Sequence, residues 1–152
     1  MNKPTIINLP VLSASFPILE EPQVPRENLL DTIERIFFAN IDLVILEGED
    51  GAGKTNLLAQ FATRHPDNTV SIFLASASRW ALDPGIVRLD LCNQISWILY
   101  KRELRDPLEA SDESLRALIF NLQKLAQREG RIIYFTLDGL DQIGLDKWQF
   151  AN

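Results

Sequence analysis

Apolar positions along the chain switch between a helical and a strand-like rhythm. Leu29, Leu30, Ile33, Ile36 and Phe37 recur on one helical face, predicting a helix with Pro25 and Glu27 in its first turn. Residues 41–47 (Ile41-Asp42-Leu43-Val44-Ile45-Leu46-Glu47) are short, mostly aliphatic and followed by glycine, the pattern of a buried parallel strand. Leu57, Leu58, Phe61 and Ala62 supply a second helical stripe, stopped by His65-Pro66. Asp67-Asn68 makes a turn and residues 69–75 read as a second strand. A polar loop over 76–85 leads into a helix reaching about Leu104, with Val87, Leu91, Ile95, Ile98 and Leu99 inward. After the break at Asp106-Pro107, a helix starts near Ser111 and turns Leu115, Leu118, Ile119, Leu122 and Leu125 inward, with Gly130 as its stop. Residues 132–137 form a third apolar strand ending in Asp138. Strands alternating with helices predict an α/β domain, a parallel sheet covered on both faces. Residues 1–24 hold four of the eight prolines and no steady period, so they read as an irregular lead-in to a domain over 25–152.

Composition narrows the class. With 46% hydrophobic residues in 152, the chain has the material for one core. A formal net charge of -6 argues against a general affinity for nucleic acid, while leaving room for a nucleotide met by a few local cations. Cys92, the single cysteine, excludes an internal disulfide and fits a reducing compartment. The N-terminal stretch is interrupted by Asn8, Pro10, Ser13, Ser15 and Pro17 and does not resemble a secretory signal. No window has the roughly 18 apolar residues of a membrane span. A soluble, cytoplasmic protein is expected.

Residues 48–55, Gly48-Glu49-Asp50-Gly51-Ala52-Gly53-Lys54-Thr55, match G-x-x-x-x-G-K-[ST] at every fixed position. Gly51 and Gly53 allow the backbone to curl so that successive N–H groups, including those of Asp50 and Ala52, converge on phosphate oxygens. A helix starting near Gly53 brings its partially positive end to the same point. Lys54 can reach the β- and γ-phosphates, and Thr55 offers a hydroxyl to Mg²⁺. With ordinary glycine content, a chain of this length shows the string by chance with a probability on the order of 10⁻³ to 10⁻². The flanking strand and helix patterns make a phosphate-binding loop for an Mg-nucleotide the leading reading.

Such a loop needs a carboxylate at a neighbouring strand end to hold the metal. Asp138 directly follows an apolar strand and Asp141 comes three positions later, so residues 133–141 read as a Walker B element. Asp138 is then the metal-side ligand with Thr55, and Asp141 the residue nearer an attacking water. Gly139 keeps the strand exit small beside the phosphates. The alternative for both aspartates is a solvated turn.

The glycine loop followed by Leu137-Asp138-Gly139-Leu140-Asp141 resembles the STAND class of signalling ATPases, NACHT-type and related AAA-like proteins. Val24-Pro25-Arg26-Glu27, ahead of a helix and the loop strand, resembles a box that lies near the adenine in that class, which implies a nucleotide-side role for Arg26. The resemblance spans roughly residues 24–141. It implies a P-loop NTPase sheet with flanking helices, Mg²⁺ and ATP as ligands, and slow hydrolysis used as a conformational switch. Gln142 departs from the pattern, since NACHT-type members commonly carry a second acid there. A regulatory module that binds nucleotide without turnover is the alternative, and a P-loop transferase a third. No N/T-K-x-D guanine-specifying element occurs, which tilts the reading toward adenine.

Other reactive residues have plainer readings. His65 is expected at a helix end, Cys92 as a small buried hydrophobe, Trp80, Trp97 and Trp148 in packing, and Arg79 and Arg88 in solvent. With three strands expected in the order second, third, first, residues 41–47 form an open apolar edge. The chain is therefore expected to be the N-terminal part of such a domain, ending after the Walker B strand. It would lack the later strand and a sensor domain, and would self-associate through that edge.

Overall fold

The computed structural model describes residues 13–18, 24–74, 82–104 and 106–140. Within them the chain is mixed α/β, with four α-helices and a two-stranded parallel sheet. Helix α1 (Glu27–Phe38) starts one residue after Arg26, so Pro25 lies just ahead of the helix and not in its first turn. It buries Leu30 and Ile33, but Leu29 falls off the buried face and is exposed. Helix α2 (Lys54–Arg64) follows the glycine loop.

Helix α3 (Pro84–Tyr100) opens on Asp83, whose carboxylate accepts from the Gly85 and Ile86 amides, with proline at the position where a missing N–H costs nothing. Lys101 adopts a left-handed conformation and ends the helix three residues before the expected Leu104. After a 3₁₀ turn (Pro107–Glu109), α4 (Asp112–Glu129) is capped by the Ser111 hydroxyl and stopped by Gly130 at φ 62°. Its buried residues are Leu118 and Leu122, whereas Ile119 faces outward.

Strands β1 (Thr69–Phe73) and β2 (Tyr134–Asp138) pair in parallel, with Thr69 opposite Tyr134 and Phe73 opposite Asp138. Because side chains alternate along a strand, the sheet carries a different core on each face. Val70 joins Cys92, Ile95 and Ile98 of α3 and Leu118 and Leu122 of α4. Tyr134 joins Leu30 and Ile33 of α1 and Leu57 and Phe61 of α2. Two strands thus suffice to hold two pairs of helices apart. Arg64 clamps α2 onto α1 through Glu27, Asp31 and Glu34 at 3.1, 2.8 and 3.0 Å. His65 caps the end of α2 and meets Glu34 at 2.8 Å, the helix-end role its position suggested.

The expected first strand does not form. Residues 41–47 join no ladder, and the order second, third, first is replaced by the β1–β2 pair. The reason is physical. Composition favours extended backbone, but a strand exists only where a neighbour accepts its amides and carbonyls. The single ladder of β2 is with β1. The alternation survives without the ladder: Leu46 packs against the core beneath α1 and α2, while Leu43 and Ile45 stand 72% and 71% exposed.

Of the lead-in segment, residues 13–18 are irregular but anchored. The Ser13 hydroxyl and the Ala14 amide donate to the two oxygens of Asp90 on α3 at 2.7 and 2.9 Å. The Phe16 ring meets Phe73 edge-on at 5.2 Å between centroids. Among the described residues no helix is long and apolar enough to cross a membrane.

Candidate functional site

The site is built where α2 begins and β2 ends. Gly51 and Gly53 have φ of 79° and 80°, values that side-chain-bearing residues resist, so both glycines are required by the curl of the loop. Gly53 occupies the cap position of α2, and no side chain caps that end. The first-turn amides of α2 therefore have no partner within the helix or from a cap, and they add to the partial positive charge there. The turn is closed internally by the Ala52 amide donating to the Glu49 carbonyl at 3.1 Å.

Lys54 folds back over the loop. Its ammonium donates to the carbonyls of Gly48 and Glu49 at 2.8 and 3.0 Å. Both acceptors are carbonyl oxygens, so no loop amide is consumed by the lysine. The surrounding segment is acidic: Glu47, Glu49 and Asp50 are exposed beside it. An anionic ligand here must be met by the amides, Lys54 and whatever further cation the fold supplies.

That further cation is Arg26. Its Nη1 donates to the Ala52 carbonyl at 2.9 Å. The guanidinium lies so close over Gly53 that a Cβ added there would stand 2.5 Å from Nη2. Gly53 is a glycine because of its φ, whereas the tip of the flexible Arg26 side chain can move away from an added Cβ. The contact places the guanidinium on the loop itself, whereas the upstream box was expected near the adenine.

The second strand end meets the loop directly. Thr55 Oγ1 donates to Asp138 Oδ2 at 2.6 Å, between residues 83 positions apart. The pairing of β2 with β1 fixes Asp138, whose own carbonyl accepts the Leu74 amide at 2.9 Å. A hydroxyl and a carboxylate side by side are the hard oxygen donors that suit a small divalent cation, and two of the expected metal-side residues are therefore adjacent. At Gly139, with φ 81°, an added Cβ would stand 2.0 Å from the Leu74 carbonyl oxygen, so the backbone just after β1 demands the glycine.

Asp141 lies outside the described residues, as do Gln142, Arg79, Trp80 and Trp148. Arg88 is remote from the loop, donating to the Ala110 carbonyl and Asp112 at 2.7 and 2.9 Å. Cys92 is fully buried, and burial raises its thiol above the ordinary range, as suits an inert packing residue. No cluster of three metal-ligating His, Cys, Asp or Glu side chains occurs among the described residues.

Sequence reasoning missed Gln60. This α2 residue accepts from the Arg26 amide at 3.3 Å and donates to the Val24 carbonyl at 3.1 Å. Its only signal in the sequence is a polar amide six residues beyond Lys54, next to Phe61 of the apolar stripe. Comparison of the chain with protein-family models, with characterised proteins and with solved structures finds no match.

Proposed function

We propose that this chain binds the phosphates of an Mg-nucleotide, ATP in the first instance, at the glycine loop. The observation that supports this most is the 2.6 Å hydrogen bond from Thr55 to Asp138. It unites the two elements that the sequence separates and that a metal–phosphate site requires together. In this reading the loop amides and the first turn of α2 receive phosphate oxygens. Lys54 leaves the Gly48 and Glu49 carbonyls for the β- and γ-phosphates, and Thr55 and Asp138 hold Mg²⁺. The metal, when bound, supplies charge neutralisation on the phosphates. Asp138 positions it from the strand, and Asp141 is the residue proposed to orient an attacking water.

We assign the chain, on its motifs, to a STAND-like P-loop ATPase that works in the cytoplasm as a slow switch. Its ATP- and ADP-bound states would be read by parts of the protein beyond this domain. Binding without turnover is the second reading, favoured by glutamine at 142 where an acid is usual. Steady-state phosphate release beside a binding titration separates the two.

The binding step is tested by Lys54→Ala. The substitution removes the one cation built into the loop, and affinity for Mg-ATP should fall at least about tenfold, a loss of about 1.4 kcal/mol. Equal affinities of variant and parent by calorimetry would overturn the loop assignment.

A further inference from the structure

We propose that Gln60 is a positioning residue for this site, holding residues 24–26 so that Arg26 stands as a second cation over the phosphate loop. The proposal rests on the nucleotide reading above and deepens it. The side-chain amide of Gln60 uses both of its ends on one short stretch of backbone. Its oxygen accepts the Arg26 N–H at 3.3 Å and its nitrogen donates to the Val24 carbonyl at 3.1 Å. Those two partners settle which end is which, because an N–H must meet the oxygen and a carbonyl must meet the NH₂. Asn56, one turn earlier on α2, accepts a further hydrogen bond from the same NH₂ and holds the rotamer. Gln60 lies on α2, which begins at Lys54 where the loop ends, so a segment bound to Gln60 is registered to the end of the loop.

What this registration achieves is a placement of charge. Glu47, Glu49 and Asp50 put three carboxylates along the loop against one ammonium, that of Lys54. A polyphosphate approaching through that field meets repulsion from exposed carboxylates, partly screened by water and salt. Arg26 offsets part of it. Its donation to Ala52 goes to a carbonyl, so Arg26 itself uses no loop amide, although the Ala52 amide is taken by the Glu49 carbonyl. Its remaining N–H groups project from a guanidinium lying over Gly53. A planar, permanently charged fork is suited to phosphate oxygens. Left to rotate freely, the same arginine would lose side-chain entropy on every binding event. The Ala52 carbonyl holds the guanidinium in place before a ligand arrives, and Gln60 fixes the backbone from which that side chain springs.

The experiment is a calorimetric titration of the full chain with Mg-ATP, Mg-ADP and AMP at low and high salt. The variants are Lys54→Ala, Arg26→Ala, Gln60→Ala, Gln60→Glu and the Arg26→Ala/Gln60→Ala pair, each with its thermal midpoint recorded. Gln60→Ala and Arg26→Ala should each weaken Mg-ATP binding by about threefold to tenfold. The pair should be no weaker than Arg26→Ala alone, because Gln60 acts through Arg26. The loss should shrink from ATP to ADP to AMP and at high salt, a dependence that a general loosening of the fold does not produce. Gln60→Glu keeps the acceptor for the Arg26 amide but turns an oxygen on the Val24 and Asn56 oxygens, so it should weaken binding about as much as Gln60→Ala. It also serves as the test variant if Gln60→Ala does not fold. Parental affinity in Gln60→Ala, or losses that multiply in the pair, would overturn the proposal while a weakened Lys54→Ala leaves the nucleotide site standing. Parental affinity in Lys54→Ala would remove the nucleotide reading and this proposal with it.

Discussion

Two glycines and one aspartate show how far a single residue's surroundings decide its role. Gly51 and Gly139 share a left-handed φ, 79° and 81°, but differ in space. Around Gly51 nothing stands within 4 Å of an added Cβ, whereas at Gly139 the Leu74 carbonyl oxygen is 2.0 Å away. Gly51→Ala should therefore cost only the left-handed penalty, about 1–2 kcal/mol. Gly139→Ala should cost distinctly more, because the Leu74 backbone just beyond β1 must move as well. Urea unfolding of both variants checks this, and equal losses would refute the contact. Asp90 differs in that its charge is the issue. Burial raises its carboxyl above the ordinary range, and the hydrogen bonds from Ala14 and Ser13 pull part of the way back. A folded pKa above the unfolded value of about 3.9 means the folded state holds the proton more tightly. Its contribution is then complete below about pH 4 and is lost as pH rises through the folded value. Asp90→Asn removes that decline, so the stability of the parent relative to the variant should fall as pH rises from about 4. A difference that grows with pH would contradict the burial argument.

At the scale of elements, the helices and two of the three expected strands were legible, and the first expected strand was not. Each helix carries its own period and punctuation: Asp83-Pro84 opens α3, Ser111 opens α4 and Gly130 closes it. These signals are local, and the structure moves the boundaries by only a few residues. Residues 41–47 carry an equally clear strand composition, yet no ladder forms, since pairing depends on what lies alongside and not on the segment. The loop and Asp138 were both readable from pattern, and so was the need to bring them together. The Arg26–Ala52 and Gln60–Val24 contacts were not, because they join side chains to backbone carbonyls far along the chain and leave no periodic trace. Ser13 with Asp90, 77 positions apart, is illegible for the same reason. Gln94 is a further case. Its amide accepts the Ser71 N–H at 2.8 Å and donates to the Ser71 carbonyl at 2.9 Å, all of it buried. It closes the outer edge of β1 as a neighbouring strand would. Gln94→Leu leaves both backbone groups buried without partners, so it should cost about 2–4 kcal/mol, at about 1–3 for each orphaned group after partial relaxation. A thermal midpoint within a degree of the parent would show that the edge is satisfied another way.

Over the whole molecule, the candidate ligand site sits where α2 begins and the sheet ends. Helices α1 and α2 cover one face of the sheet, and β2, which ends in Asp138, sends Tyr134 into that same core, while α3 and α4 cover the other face. At the loop, the start of α2 is tied directly to the end of β2 by the Thr55–Asp138 hydrogen bond. A ligand that takes oxygens from both residues replaces one hydrogen bond with stronger ionic contacts and should stabilise the fold as a unit. The expected size follows from mass action. At a hundredfold excess over its dissociation constant, a ligand bound to the folded state alone adds about 2.7 kcal/mol. For a domain of this size that is a rise in Tm of roughly 5–11 °C, at about 2–4 °C per kcal/mol. Mg-ATP should give the full shift, ATP with chelator a smaller one. Lys54→Ala should lose most of the shift at the same ligand concentration. Asp138→Asn keeps an acceptor for the Thr55 hydroxyl but not the charge, so the shifts with and without Mg²⁺ should become equal in that variant alone. If saturating Mg-ATP leaves the parent's Tm unmoved, the site carries no such ligand. If Asp138→Asn still distinguishes Mg-ATP from ATP, the metal is held elsewhere and the Thr55–Asp138 pair is a structural tie between α2 and β2.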